Sequence, residues 1–255
     1  MGIAMHKSGS PAGLGAKRGR ATGTPRPGGR EPGRGRRPVT KATLTISSKN
    51  YSSWSLRGWL LARMAGLDFA EIMLPVDDPA TRAELLLLSP SFLVPCLTHE
   101  GISVWDTLAI GEYLHEVRPK AGLLPAERGP RARCRSICGE MHSGFSNLRS
   151  ALPMNLKAHH PGFKVWPGAQ ADIERIVAIW RECLAASGGP YLFGALTMAD
   201  AMYAPVVTRF LTYDVKLERD CAAYGERIMA LPAMKEWVAS AKAEPDELEE
   251  LDVEF

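Results

Sequence analysis

The chain has no run of about twenty consecutive apolar residues, so its hydropathy excludes a membrane-spanning helix. It has no Cys-x-x-Cys pair, and its five cysteines (Cys96, Cys134, Cys138, Cys183 and Cys221) are odd in number and scattered. That pattern argues against a disulfide framework and reads as reduced thiols in a cytoplasmic protein. Cys134 and Cys138 stand four apart, on one face if helical, but no His or Cys partners complete a ligand set, so no metal is expected. His159-His160 lacks a third ligand for the same reason. No internal repeat period is visible, which leaves out repeat architectures.

What is present is ordinary in bulk and uneven in distribution. Hydrophobic residues make up 45% and charged residues 23% of 255 residues, values of a globular chain long enough for two modest domains. The formal net charge of +3 hides an asymmetry. Residues 1–41 hold ten Lys/Arg against one Glu, a surplus of nine, so the rest of the chain is net −6. That basic segment is rich in Gly, Arg and Pro, as in Pro32-Gly33-Arg34-Gly35-Arg36-Arg37-Pro38, and has almost nothing apolar to bury. It is expected to be a disordered basic tail. The basic pI therefore belongs to the tail, and no nucleic-acid partner is expected of the rest.

The period-2 pattern of Thr43-Leu44-Thr45-Ile46-Ser47 predicts a strand. Ser53 to Ala65 then reads as a helix closed by Gly66. Phe69 to Leu74 predicts a second strand, and Ala80 to Leu88 a short helix. Val94 to His99 and Ile102 to Trp105 predict two short strands joined by a tight turn at Glu100-Gly101, and Asp106 caps a helix running past Leu114. Everything beyond residues 120–126 reads as helix: Arg131–Leu152, Ala169–Ala186, Met198–Leu211, Glu218–Met229 and Ala233–Ala243. Glu244 to Phe255 is acidic and reads as a solvated segment. The fold class is α+β: a βαβ-ββα domain over 42–119, a linker over 120–126 and an all-helical domain over 127–255.

Three junctions carry candidate chemistry. Tyr51, Ser52, Ser53 and Ser55 cluster where a strand hands over to a helix, whose free N–H groups and dipole favour an anion. Serine is also the commonest N-cap, so capping alone accounts for one or two of them. Leu93-Val94-Pro95 opens a strand. A cis Val94–Pro95 bond would turn the Val94 N–H and C=O outward, where they could pair with an extended peptide, although edge-strand proline is the plainer reading. Asp106-Thr107 starts another helix, suited to holding a carboxylate and meeting an ammonium, or simply to capping. A zwitterionic tripeptide bearing a thiol would use all three junctions.

These stretches resemble those of the glutathione transferases over about Leu44 to Ala243. Ser52-Ser53-Trp54-Ser55-Leu56-Arg57 is similar to the Ser-Ser-Cys-x-x-Arg stretch of the zeta class, with Trp54 where that class has Cys. Ser89-Pro90-Ser91-Phe92-Leu93-Val94-Pro95 resembles the stretch that precedes the family's cis-proline, with Leu93 where many relatives are polar. Asp106-Thr107-Leu108-Ala109-Ile110 resembles the γ-glutamyl-binding stretch. Thr197-Met198-Ala199-Asp200 matches the capping box of the family's helical domain.

The resemblance implies a thioredoxin-like domain followed by a helical domain, and glutathione as cosubstrate with no permanently bound cofactor. It also implies a small electrophile as second substrate, a cytoplasmic location and a homodimer. Conjugation leads; peroxide reduction or isomerisation on the same fold, or a non-catalytic interaction module, are the alternatives. Ser52 leads as the group that donates to the thiolate, with Ser53 next and Tyr51 third. Lowering a thiol pKa by about two units from about 8.5 requires roughly 2.7 kcal/mol of preferential stabilisation, which a hydroxyl donor and a helix N-terminus can share. Tyr51, Leu93, Val94, Pro95, Asp106 and Thr107 are the expected glutathione contacts. His142, Phe145 and Arg149 are expected to face the second substrate, with His142 and Arg149 seven apart and so able to share a face.

Overall fold

The computed structural model describes residues 42–74 and 94–245. The basic tail, the helix expected over Ala80–Leu88, Leu93, and the chain beyond residue 245 lie outside these residues. Four strands form one sheet in the order β2-β1-β3-β4. They are β1 (Ala42–Ile46), β2 (Ala70–Met73), β3 (Cys96–His99) and β4 (Ile102–Trp105). β1 pairs parallel to β2 and antiparallel to β3, and β3 pairs antiparallel to β4. The parallel pair needs a crossover, which α1 (Ser53–Met64) supplies. The β3–β4 hairpin turns on Glu100 and Gly101, both at positive φ (52° and 81°), as a two-residue hairpin with right-twisted strands requires.

β1 alternates as its sequence does: Ala42, Leu44 and Ile46 are buried and the residues between are half-buried. After β4 come α2 (Thr107–Val117), α3 (Arg128–Ser143), α4 (Ser146–Ala151), α5 (Pro167–Ser187), α6 (Met198–Thr212), α7 (Arg219–Ala230) and α8 (Pro232–Ala243). Pro167 and Pro232 sit in first helical turns, where a missing N–H costs nothing. No described helix is long and apolar enough to cross a membrane.

One expected helix is two. The pattern read as continuous from Arg131 to Leu152 breaks at Gly144, the C-cap of α3, and Phe145, whose φ of 59° no α-helix accommodates. The apolar spacing survives the break because Phe145, Leu148 and Leu152 still reach the core. A second correction concerns Glu244, which is half-buried and hydrogen-bonded to the β1–α1 loop, not solvated.

The buried apolar side chains form one continuous cluster through the sheet-bearing half and the helical half. α1 packs against α6 on one side and α2 on another. Two glycines permit close approach. A Cβ on Gly58 of α1 would lie 2.5 Å from Pro95 Cγ, and one on Gly111 of α2 would lie 2.3 Å from Met198 Sδ. The α6 start is closed by a capping box. Asp200 Oδ2 accepts from the Thr197 N–H at 2.7 Å and from its hydroxyl at 3.0 Å. Its Oδ1 accepts from Leu192 N–H and the Tyr224 hydroxyl, each at 3.2 Å.

Candidate functional site

The strand register brings three chain segments to one end of the sheet. Cys96, the first residue of β3, lies opposite Thr45 near the end of β1 and opposite Trp105 at the end of β4. The exit of β1 toward Ser52, the Val94–Pro95 entry into β3, and the exit of β4 toward Asp106 therefore share an edge. Local sequence alone placed them at three separate junctions; the antiparallel pairing of β3 makes them neighbours.

At the first junction Ser52 is the N-cap of α1. Its Oγ accepts from the Ser55 N–H at 3.2 Å and donates to Ser55 Oγ at 2.8 Å. Ser55 Oγ in turn accepts from the Ser47 N–H at 3.1 Å. Ser52 is half-buried, and so is Tyr51 in the turn before it. Ser53 faces inward: it is buried, and its Oγ accepts from Arg57 at 3.3 Å and from Arg209 at 3.2 Å. The two serines are therefore not equivalent. One caps the helix at the surface, and the other ties α1 to α6 through two guanidinium groups.

Pro95 is joined to Val94 by a cis peptide bond, is buried, and packs on Gly58 of α1; Val94 is half-buried. Asp106 caps α2 with φ 74°, an uncommon conformation for a residue with a side chain. Its Oδ1 accepts from the Leu108 N–H at 2.8 Å, and its Oδ2 lies 2.6 Å from His142 Nε2. The next residue, Thr107, has a buried hydroxyl with no hydrogen-bond partner. Buried polar atoms are nearly always paired, so an orphaned hydroxyl beside a half-exposed carboxylate marks an unfinished site.

The residues assigned to a second substrate divide. His142 is 30% exposed and turned to Asp106, with its ring 5.1 Å from that of Trp54. Arg149 spends its donors on the carbonyls that end α3: Gly144 O at 3.1 Å, His142 O at 3.2 Å, and Met141 O. Its guanidinium lies 4.6 Å from the centre of Trp54, as does that of Arg57. Trp54 is thus held between two cations. Phe145 is buried in the core. The shared face expected for His142 and Arg149 is real, but both side chains are already engaged with neighbours.

Sequence reasoning missed the surroundings of Ser53. Arg57, Arg149 and Arg209 come together around it, and among the described residues no carboxylate hydrogen-bonds any of them. Burial, and then repulsion from Arg149 and Arg209, pushes the Arg57 guanidinium well below its usual range. Burial lowers Arg149 as well, and burial followed by Arg149 lowers Arg209 to about 10. Carbonyls at helix ends take the place of carboxylates: Arg209 donates to Leu152 O at the end of α4, and Arg57 to Met202 O at 2.8 Å. A separate cavity of about 980 Å³ lies between the start of α3 and the end of α5, lined by Arg133, Cys183 and Phe193 among others. None of the site residues named above borders it.

Comparison with known proteins is consistent across sequence and structure. Residues 51–117 match the family described as Glutathione S-transferase, N-terminal domain, and residues 155–240 match its C-terminal domain counterpart. The maleylacetoacetate isomerase of Rattus norvegicus is 28% identical over 181 residues, 69% of this chain and 82% of that protein. The probable maleylacetoacetate isomerase 1 of Drosophila melanogaster is 28% identical over 182 residues, 70% of this chain and 73% of that protein. Among solved structures, a Burkholderia glutathione transferase homolog with bound glutathione superposes with a TM-score of 0.61 at 23% identity. It covers 80% of this chain and 98% of its own. A glutathione S-transferase from the Antarctic clam Laternula elliptica gives 0.60 at 21% identity, covering 81% and 95%. At these identities the solved structures speak for the fold.

Proposed function

Because the chain belongs to the glutathione S-transferase family, we propose that it binds glutathione across the shared sheet end and transfers the thiol to a small electrophile, with the Ser52 hydroxyl donating to the thiolate. The observation that carries this reading is the convergence of a half-buried cap hydroxyl, an outward strand entry and an incomplete carboxylate-binding helix start on one edge. The Val94 backbone would pair with the extended tripeptide. The Thr107 hydroxyl would find its missing partner in the γ-glutamyl carboxylate, and Asp106, drawn partly from His142, would meet the ammonium. Ser52 is chosen over Ser53 because both lone pairs of the Ser53 oxygen are taken by arginines. Stabilising the charged form lowers the thiol pKa, and the N-terminus of α1 adds about 0.3–1 kcal/mol. A homodimer is part of the proposal, and sedimentation of the purified chain tests it.

A second reading is favoured by the names of the curated relatives: isomerisation, in which the same thiolate adds to a double bond and leaves again after rotation. Trp54, where the resembling motif has cysteine, weighs against carrying that activity over unchanged. Assays of the wild type and Ser52→Ala with glutathione, against an aryl halide and against a cis-unsaturated diketo acid, separate the two. Retained glutathione binding with lost turnover in Ser52→Ala supports the proposal; unchanged turnover removes Ser52 from it.

A further inference from the structure

We infer that Glu244, just beyond the last described helix, is a positioning residue for the Ser52 hydroxyl; the inference rests on the reading of Ser52 given above. α8 ends at Ala243, and Glu244 leaves it with an extended backbone (φ −61°, ψ 130°), which turns its side chain back across the molecule. Its carboxylate meets the loop between β1 and α1. Ser48 Oγ donates to Oε2 at 2.8 Å, the Lys49 N–H to Oε1 at 2.6 Å, and the Asn50 N–H to Oε2 at 3.1 Å. Two successive backbone N–H groups and a hydroxyl form a concavity fitted to an anion, and this chain fills it with its own carboxylate.

The connection to the site is short. The Ser52 N–H donates to Ser48 O at 2.9 Å, so the residue Glu244 grips is the residue that fixes the Ser52 backbone. Ser48 Oγ also accepts from Asn50 and Tyr51 N–H groups at 3.2 and 3.4 Å, folding the loop on itself. The grip has its own anchors: Lys157 Nζ donates to Glu244 O at 2.7 Å, and Trp237 Nε1 of α8 donates to Lys49 O at 2.9 Å. The loop belongs to no strand or helix, and Asn50 within it is fully buried. Removing the carboxylate would leave the Lys49 N–H without the acceptor described here, and such a loop shifts to find another. Small displacements of a reacting group cost large factors in rate.

The test compares wild type, Glu244→Ala, Glu244→Gln, Ser52→Ala and Glu236→Gln. Glu236 pairs with Arg63 on the exposed side of the same helix and touches none of the loop. Thiolate absorbance of bound glutathione is titrated against pH, and kcat/KM for glutathione is measured with an aryl halide. Glu244→Ala is expected to raise the bound thiol's pKa by about one unit and lower kcat/KM about tenfold. Glu244→Gln should fall between that variant and wild type, and Glu236→Gln should match wild type. A folded Glu244→Ala with wild-type pKa and kcat/KM, alongside a Ser52→Ala that loses both, overturns the inference and leaves the Ser52 reading standing. An unaffected Ser52→Ala overturns the reading itself. If Glu244→Ala does not fold, Glu244→Gln decides by the same two measurements.

Discussion

Two kinds of helix start coexist in this molecule. At α6 the cap is closed: Asp200 and Thr197 are both buried, and one carboxylate takes donors from Thr197, Leu192 and Tyr224. At α1 and α2 the caps are open: Ser52 is half-buried, the Asp106 side chain is 39% exposed, and the Thr107 hydroxyl has no partner. The local chemistry is the same, a short polar side chain accepting from helix N–H groups. What differs is whether the polar groups are used up. A cap that serves only the fold closes on itself, and a cap left incomplete has capacity for a ligand.

The contrast can be broken from its closed end first. Asp200→Ala strips four donors of their acceptor in a buried place, and should lower unfolding free energy by about 3–4 kcal/mol. Turnover per folded molecule should be unchanged; denaturant titration with active-site counting checks both. The same carboxyl predicts a pH signature. Burial raises its pKa from 3.8 to about 6, against the opposing pull of its hydrogen bonds. The folded chain thus binds the proton more tightly than the unfolded chain. The resulting stabilisation is full below about pH 3.8 and is lost as pH rises through 6. The stability of wild type relative to Asp200→Asn should therefore decline between pH 4 and 7, by about 3 kcal/mol at most.

At the open end the expected effects move from stability to chemistry. Ser52→Ala should cost about 1 kcal/mol of stability as a lost cap, yet lower turnover ten- to a hundredfold near neutral pH, roughly one to two units of thiol pKa. The deficit should shrink above the ordinary thiol pKa of about 8.5, where the thiolate forms unaided. Thr107→Val gives the smallest effect and separates the two kinds of cap most sharply. Removing an orphaned buried hydroxyl should leave stability level or raise it by up to about 1 kcal/mol. Glutathione affinity, read by calorimetry, should weaken about five- to tenfold for the lost charge-assisted hydrogen bond.

What could be read in the sequence was what is local. The α6 capping box spans four residues and was legible as such, and the β3–β4 turn was legible in Glu100-Gly101. The break between α3 and α4 was not, because the apolar spacing continues across Gly144-Phe145 and only the backbone angle of Phe145 betrays it. Ser52 and Ser53 could not be told apart by pattern: one step along a helix start turns a side chain by about 100°, and only the positions of Arg57 and Arg209 show which one faces inward. The Asp106–His142 contact joins residues 36 apart, and Glu244 reaches Ser48 across 196. Glu244 stands at the head of an acidic segment, where composition suggests water as its neighbour. Nothing in a sequence pattern announces a partner so far along the chain.

The bare Cα at position 58 acts as a gauge for the whole cleft. A proline ring is fixed to its backbone and cannot swing aside as a long side chain does, so a single added methyl group, 2.5 Å from Pro95 Cγ, would have to wedge β3 away from α1. The segment offered to the tripeptide's backbone and the helix offered to its sulfur would then part company. The span between the two halves of a ligand's grip is thus set by one missing carbon, at a residue that touches no ligand.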